Sequence, residues 1–386
     1  MRLLFSTKDL VLMGRPVVGF PILLDDDMRS LEPAQSFITY LLLERHGASS
    51  PLTWEDYGRR LYDFFAFLHA NELAWNERAR APGLSVVARY KDWSLGELAL
   101  SPSTINQRLR LVVKFYEWAR NNAHIDHLPF AYEDVRTTRV SQGFLAHVEQ
   151  AGGVRERPMV MAREWKRPPE FLTKEQVSAC RALKLSTSHR LLFDLMERVG
   201  LRSVEARTFP LKYVFNPKGA VAVKPGQMIR VDLDPADMKI KYDKPRSVDV
   251  PYTLMEDMYS YTMYQREMLR QRSGMPTPCL ILNELGRPYS RPAIVEVFKA
   301  IERKIGFRIR AHMLRHTYGT YTLARLRKNR DFEGEPLLYV RDRMGHSDVQ
   351  TTAIYLHVIN QLSAQIVLAH EDEIDHLFAN AAPEAA

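Results

Sequence analysis

Apolar residues recur at helical spacing through much of the first 125 residues. In 53–75, TWEDYGRRLYDFFAFLHANELAW, the residues Tyr57, Leu61, Phe64, Phe65 and Leu68 fall on one side, as an amphipathic helix requires. Thr53 stands where its N-cap is expected. In 101–122, SPSTINQRLRLVVKFYEWARNN, Ser101 is placed to cap and Pro102 takes the first helical position, while Ile105, Leu109, Val112 and Tyr116 make the apolar stripe. Arg108, Arg110, Lys114 and Arg120 lie largely off that stripe. From about 131 to 171 the composition changes to a Gly- and Arg-bearing stretch, and the pair Pro168 and Pro169 resists regular structure, so this stretch reads as a connection. Thr173 and Gln176 form a capping-box pattern that opens a new domain near 172. A helix over 188–198 follows, and then 212–251 alternates in part (AVAV, MIRVDL, RSVDVP), which predicts a small antiparallel sheet. Helical signals return from 254. The expected fold is mainly α with a small antiparallel β-sheet (α+β), divided into a helical domain over 1–130, a basic linker over 131–171 and a mixed domain over 172–386.

Composition adds a partner to this picture. Over 386 residues, 54 Lys and Arg outweigh 46 Asp and Glu to leave a formal net charge of +8. Such a surplus suits a polyanion, because neutralising phosphates releases counterions. The two cysteines, Cys180 and Cys279, have no CxxC or other metal-ligand spacing, so neither a disulfide framework nor a thiolate zinc site is expected. Lys8, Asp9 and Arg15 interrupt the N-terminal apolar residues, and no apolar run reaches the length of a membrane span. The reading is a cytoplasmic protein, associated with the nucleoid and without membrane insertion.

Chemistry-bearing residues gather after 200. GLRSVEA at 200–206 places Arg202 at the start of an element, with Glu205 close behind. MKIKYDKPRSVDVP at 238–251 supplies lysines on a turn and strand. In AHMLRHTYGTYTLARL, His312 and Arg315 are three apart and share a helix face. His312 and His316 are four apart, a spacing seen in metal sites, but no third ligand accompanies them. In GHSDVQTTAIYLH at 345–357, Gly345 ends a helix, SDVQ begins another, His346 sits at the junction and Tyr355 follows on the new helix. Arginines that grip nonbridging oxygens, histidines that carry protons near neutrality, a lysine for the departing oxygen and a tyrosine as attacking group suffice to transfer a phosphodiester without a metal.

Those segments, in that order, resemble the tyrosine recombinase family of phage integrases and Xer-type recombinases. The resemblance is sharp over about 190–360 and only general before it. It implies a helical core-binding domain and a catalytic domain that clamp duplex DNA at a recombination site. It also implies cleavage to a 3′-phosphotyrosine with a free 5′ hydroxyl, and strand exchange without ATP or metal. Arg202 then matches the first family arginine, His312 and Arg315 the HxxR pair, His346 the second histidine, Tyr355 the nucleophile and Glu205 a supporting acid. The hairpin pattern KxxKxR fits Lys241, Lys244 and Arg246. Lys241 is the expected catalytic lysine, with Lys239 and Lys244 as alternatives. Arg108 and Lys114 are expected phosphate contacts. The resemblance further implies a homo-tetramer on DNA, coupled through a C-terminal helix in LHVINQLSAQIVLAHEDEIDHLF. Two other readings stand beside it: a type IB topoisomerase-like enzyme, and a DNA-binding protein of the same fold without turnover.

Overall fold

Ser101 accepts the backbone N–H of Thr104 through its side chain, and Pro102 starts the helix Pro102–Asn121. Its four expected stripe residues, Ile105, Leu109, Val112 and Tyr116, are all buried. This computed structural model describes residues 1–12, 14–45, 51–136, 154–165, 168–349, 351–356, 358 and 359. The chain divides into two compact units, Met1–Lys166 and Arg167–Ala386.

In the first unit, helices Ala34–Thr39, Pro51–Ala70, Val86–Gly96 and Pro102–Asn121 enclose an aromatic core. Phe64 meets Tyr90 edge to face at 5.2 Å, and Phe65 meets Phe115 at 5.3 Å, an arrangement that satisfies the ring quadrupoles. Helix Pro51–Ala70 starts two residues before the expected cap, because Pro51 is preorganised for a first helical turn. Thr53 therefore lies inside the helix. The helix also stops short of 75, where Glu72 takes a left-handed conformation with φ 53°. Two features were not expected from the pattern. Strand Arg2–Phe5 pairs antiparallel with Pro21–Leu24 and buries Leu23 against the helices. In the stretch read as a connection, Tyr132–Arg136 pairs antiparallel with Val154–Pro158. The following residues pack on the first unit: buried Asn106 donates to the carbonyl of Ala162 at 3.0 Å and accepts its N–H at 2.8 Å.

The second unit opens as expected, with the Thr173–Gln176 capping box on helix Lys174–Ala182. Helices Thr187–Arg198, Tyr252–Met263, Arg291–Ile305 and Ala311–Lys328 bury a core that includes Leu191, Phe193, Met255, Phe298 and Leu314. The expected sheet is one antiparallel pair, Met228–Leu233 with Arg246–Pro251, in which Val231 faces Val248. Residues 234–245 connect the strands, with a short turn of helix at Lys241–Asp243 in which Tyr242 and Asp243 have positive φ. Helix Pro336–Met344 lies on strand Arg246–Pro251, where Arg343 contacts Asp249 at 2.5 Å and Tyr339 donates to the same carboxylate. Gly345 ends that helix in the left-handed region, and the chain is helical again from 349. The expected C-terminal coupling helix, in 356–378, falls outside the described residues apart from 356, 358 and 359. Among the described residues no helix is long and apolar enough to cross a membrane.

Candidate active site

The carboxylate of Glu205 is the centre on which the site is built. It sits at the third position of the short helix Ser203–Arg207, fully buried. It accepts the backbone N–H of Arg202 at 2.7 Å and one guanidinium N–H of the same residue at 2.9 Å. Arg246, at the start of the second strand, meets it with two parallel bonds of 2.9 and 2.7 Å. Burial works to raise the pKa of Glu205, but the hydrogen bonds and charge of Arg246, joined by Arg202, overcome it and hold the group down to about 2. Two arginines are thereby fixed by one anion, and the remaining donors of Arg202 are free to aim elsewhere. Its Nη2 reaches the carbonyl of Gly345 at 3.1 Å.

Arg315 comes from helix Ala311–Lys328 and is only 1% exposed. Its two terminal nitrogens donate to the carbonyls of Gly200 and Met344, so the guanidinium is locked between the turn before Arg202 and the corner after helix Pro336–Met344. That corner needs a glycine. Gly345 has φ +61°, and a Cβ there would lie 2.8 Å from Cδ of Arg246.

Tyr355 is 1% exposed, and its hydroxyl is 2.9 Å from Nδ1 of His316. The ring lies roughly parallel to His346, with centroids 6.4 Å apart at 23°, and His346 shares a 2.9 Å hydrogen bond with Thr352 one turn before the tyrosine. His312 packs edge-on against His316 at 4.3 Å. Room for the tyrosine ring comes from Gly319, where a Cβ would stand 2.8 Å from Cε2 of Tyr355. Burial raises the Tyr355 hydroxyl to about 12, against the opposing pull of Arg315 and Arg202. Burial, with the positive charge of Arg315 and the neighbouring histidines and Arg202, brings His346 down to about 3. Burial, then His312 and Arg315, brings His316 to about 3 as well. His312 is lowered by burial, then by Arg315, Arg202 and Lys241.

Among the expected residues, Arg202, Glu205, Arg315, His346 and Tyr355 thus meet around the Gly345 corner, with His312 at the exposed edge. Lys241 lies exposed in the connection between the strands, its ammonium over the Tyr242 ring at 4.8 Å, and it is close enough for its charge to act on His312. Lys239 and Lys244 are exposed on the same connection. In the first unit Lys114 is exposed, whereas Arg108 is half-buried and donates to Asp63 at 2.5 Å, alongside the hydroxyl of Tyr90. The structure therefore gives Arg108 a partner inside the protein, where an outward phosphate contact was expected.

Two residues of the site had no role in the sequence reading. Arg246 appeared only as the last letter of the lysine pattern, and His316 only as half of a metal spacing. The signal for His316 is its position one turn after His312, on the face that also carries Arg315. Among the described residues no group of three or more His, Cys, Asp or Glu is placed to hold a metal ion.

Comparison with known proteins gives the family and the fold. Residues 170–361 match the phage integrase family and 34–122 match the phage integrase N-terminal SAM-like domain. Transposase A from transposon Tn554 of Staphylococcus aureus is 23% identical, over 88% of this chain and 91% of its own. Tyrosine recombinase XerC of Bacillus subtilis is 21% identical, over 86% and 94%. Among solved structures, the XerH site-specific recombinase bound to palindromic difH substrate, a post-cleavage complex, superposes with a TM-score of 0.54. It is 18% identical, with 87% of this chain and 89% of that one covered. The Tn1549 transposon integrase in complex with circular intermediate DNA gives a TM-score of 0.52 at 17% identity, with coverage of 83% and 94%.

Proposed function

This chain belongs to the phage integrase family of tyrosine recombinases, and we propose that it breaks and rejoins duplex DNA at a specific site with Tyr355 as the nucleophile. The observation that carries this reading is the enclosure of the Tyr355 hydroxyl beside two arginines fixed by protein contacts alone, Arg202 by Glu205 and Arg315 by two carbonyls. Such preorganised donors stabilise charge as it develops, and each is worth about 3 kcal/mol of barrier. In the reaction, the Tyr355 oxygen gives up its proton to a basic side chain of the site as it bonds to phosphorus, the bond to the 5′ oxygen breaks, and Lys241 protonates the departing oxygen. The DNA stays joined to Tyr355 through its 3′ phosphate. Attack by a 5′ hydroxyl reverses each step, so the bond energy is retained and no ATP is consumed. His312 and His346 donate to the nonbridging oxygens with the arginines.

The first unit binds the flank of the site, with Lys114 on the phosphate backbone and Arg108 acting through Asp63 to hold its helix. The protein works in the cytoplasm on the nucleoid, and four copies assemble on the paired sites. The homology to transposon and Xer recombinases supports movement or resolution of a DNA element as the task. The test is covalent capture. The protein is mixed with nicked duplexes spanning the DNA that flanks its gene, then denatured, and the mixture is assayed for a protein–DNA adduct with a free 5′ hydroxyl. The adduct is expected to survive a chelator and to vanish with Tyr355→Phe. An adduct that persists in Tyr355→Phe overturns the assignment, and tight binding without any adduct supports a DNA-binding protein without turnover.

A further inference from the structure

The helix Ala311–Lys328 presents more than the HxxR pair. His316, one turn beyond His312, places Nδ1 2.9 Å from the Tyr355 oxygen, and no other described histidine is hydrogen-bonded to that hydroxyl. Nδ1 of His346 is instead engaged by Thr352. The fit is built from several sides: Gly319 leaves space for the phenol ring, and His312 packs against the other side of the His316 imidazole at 4.3 Å.

We propose that His316 is a further catalytic residue, which holds the Tyr355 hydroxyl in place and takes its proton as the phenolic oxygen attacks phosphorus. This rests on Tyr355 being the nucleophile. The balance is complete without another reactant: the oxygen–phosphorus bond forms, the phenolic proton passes to Nδ1, the bond to the 5′ oxygen breaks, and Lys241 supplies the proton that oxygen needs. Resealing returns both protons. Nδ1 can accept only if the neutral imidazole carries its hydrogen on Nε2.

Without DNA the pair is inert. His316 is held neutral by burial and by the positive charge around it, and the tyrosine is held protonated, so no tyrosinate waits exposed to water. Arg315, one of the groups that depress His316, is among the cations expected to grip the phosphate. A bound phosphodiester therefore cancels part of the charge that keeps His316 from accepting a proton, and general-base transfer becomes concerted with attack.

Two measurements test this. In the DNA-free protein, ¹⁵N spectra of labelled histidines are expected to show one imidazole whose Nδ1 signal moves when Tyr355→Phe removes the hydrogen bond. Unchanged spectra overturn the pair. On the duplex that yields the wild-type adduct, single-turnover cleavage by His316→Ala is expected to fall by about 10²- to 10⁴-fold with DNA binding retained. His316→Gln, which keeps bulk and an acceptor but has no basic nitrogen, is expected to fall as far. Replacing the departing 5′ oxygen by sulfur removes the need for an acid, so it should restore Lys241→Ala and leave both His316 variants slow. Rescue of the His316 variants by sulfur, or cleavage by His316→Gln at the wild-type rate, overturns the proposal. A wild-type adduct that does not depend on Tyr355 overturns the nucleophile assignment instead.

Discussion

Glu205 supports two guanidinium groups with one buried carboxylate, and its removal strands both. Breaking such a buried pair costs about 3–5 kcal/mol, because a charge is left without its partner. Glu205→Gln is therefore expected to unfold the second unit at markedly lower denaturant and to slow cleavage more than it weakens DNA binding. The effect has a defined pH window. The carboxyl titrates near 4.5 when unfolded and near 2 when folded, so its contribution is fully present above 4.5 and is lost as pH falls through 2. That depression corresponds to about 3 kcal/mol. Urea midpoints of wild type and Glu205→Gln should differ most near neutrality and converge below pH 4.5, and a constant gap would show that folding does not shift the Glu205 carboxyl. At this scale the sequence was informative about which distant residues the fold gathers, as with Arg202, Arg315 and Tyr355 around the Gly345 corner. It was silent where a task comes from a neighbour brought close by folding: nothing in KPRSVDVP announces that Arg246 shares the Glu205 carboxylate from 41 positions away.

Elements follow the same division. The capping residues Ser101, Thr173 and Gly345 were legible because a helix end has local requirements, namely a side-chain acceptor for orphan N–H groups or a left-handed residue. The strand pairs Arg2–Phe5 with Pro21–Leu24, and Tyr132–Arg136 with Val154–Pro158, were not, because four or five residues hold too little alternation and the partner is distant in sequence. The Gly345 corner carries the strongest prediction at this scale. Alanine there adopts the left-handed region at a cost of about 1–2 kcal/mol, and its Cβ would press on Arg246. The carbonyls of Met344 and Gly345, which orient Arg315 and Arg202, must shift in response. Gly345→Ala is expected to lower single-turnover cleavage more than tenfold while melting only a few degrees below wild type, and intact cleavage would show that the two carbonyls do not set the arginine geometry.

For the whole molecule, the surplus of +8 foresaw a polyanionic partner but not which cations meet it. Charge composition sums over the surface, whereas phosphate contact depends on which side chains the fold leaves unengaged. The helix Pro102–Asn121 carries both cases. Arg108 is bonded to Asp63, which also accepts the hydroxyl of Tyr90, and Lys114 is exposed. Counterion release ties each phosphate contact to the slope of log affinity against log salt, with one contact worth about one unit. Lys114→Ala is therefore expected to flatten the slope by about one while leaving stability unchanged. Arg108→Ala is expected to leave the slope nearly unchanged and to destabilise the first unit, because Asp63 loses its cation and Tyr90 keeps a buried hydroxyl beside an uncompensated carboxylate. DNA-binding isotherms at several salt concentrations, read with thermal melts of the same variants, distinguish the roles. A flattened slope for Arg108→Ala would mean that DNA draws the arginine away from Asp63, and the ion pair would then be a resting state that binding exchanges for phosphate.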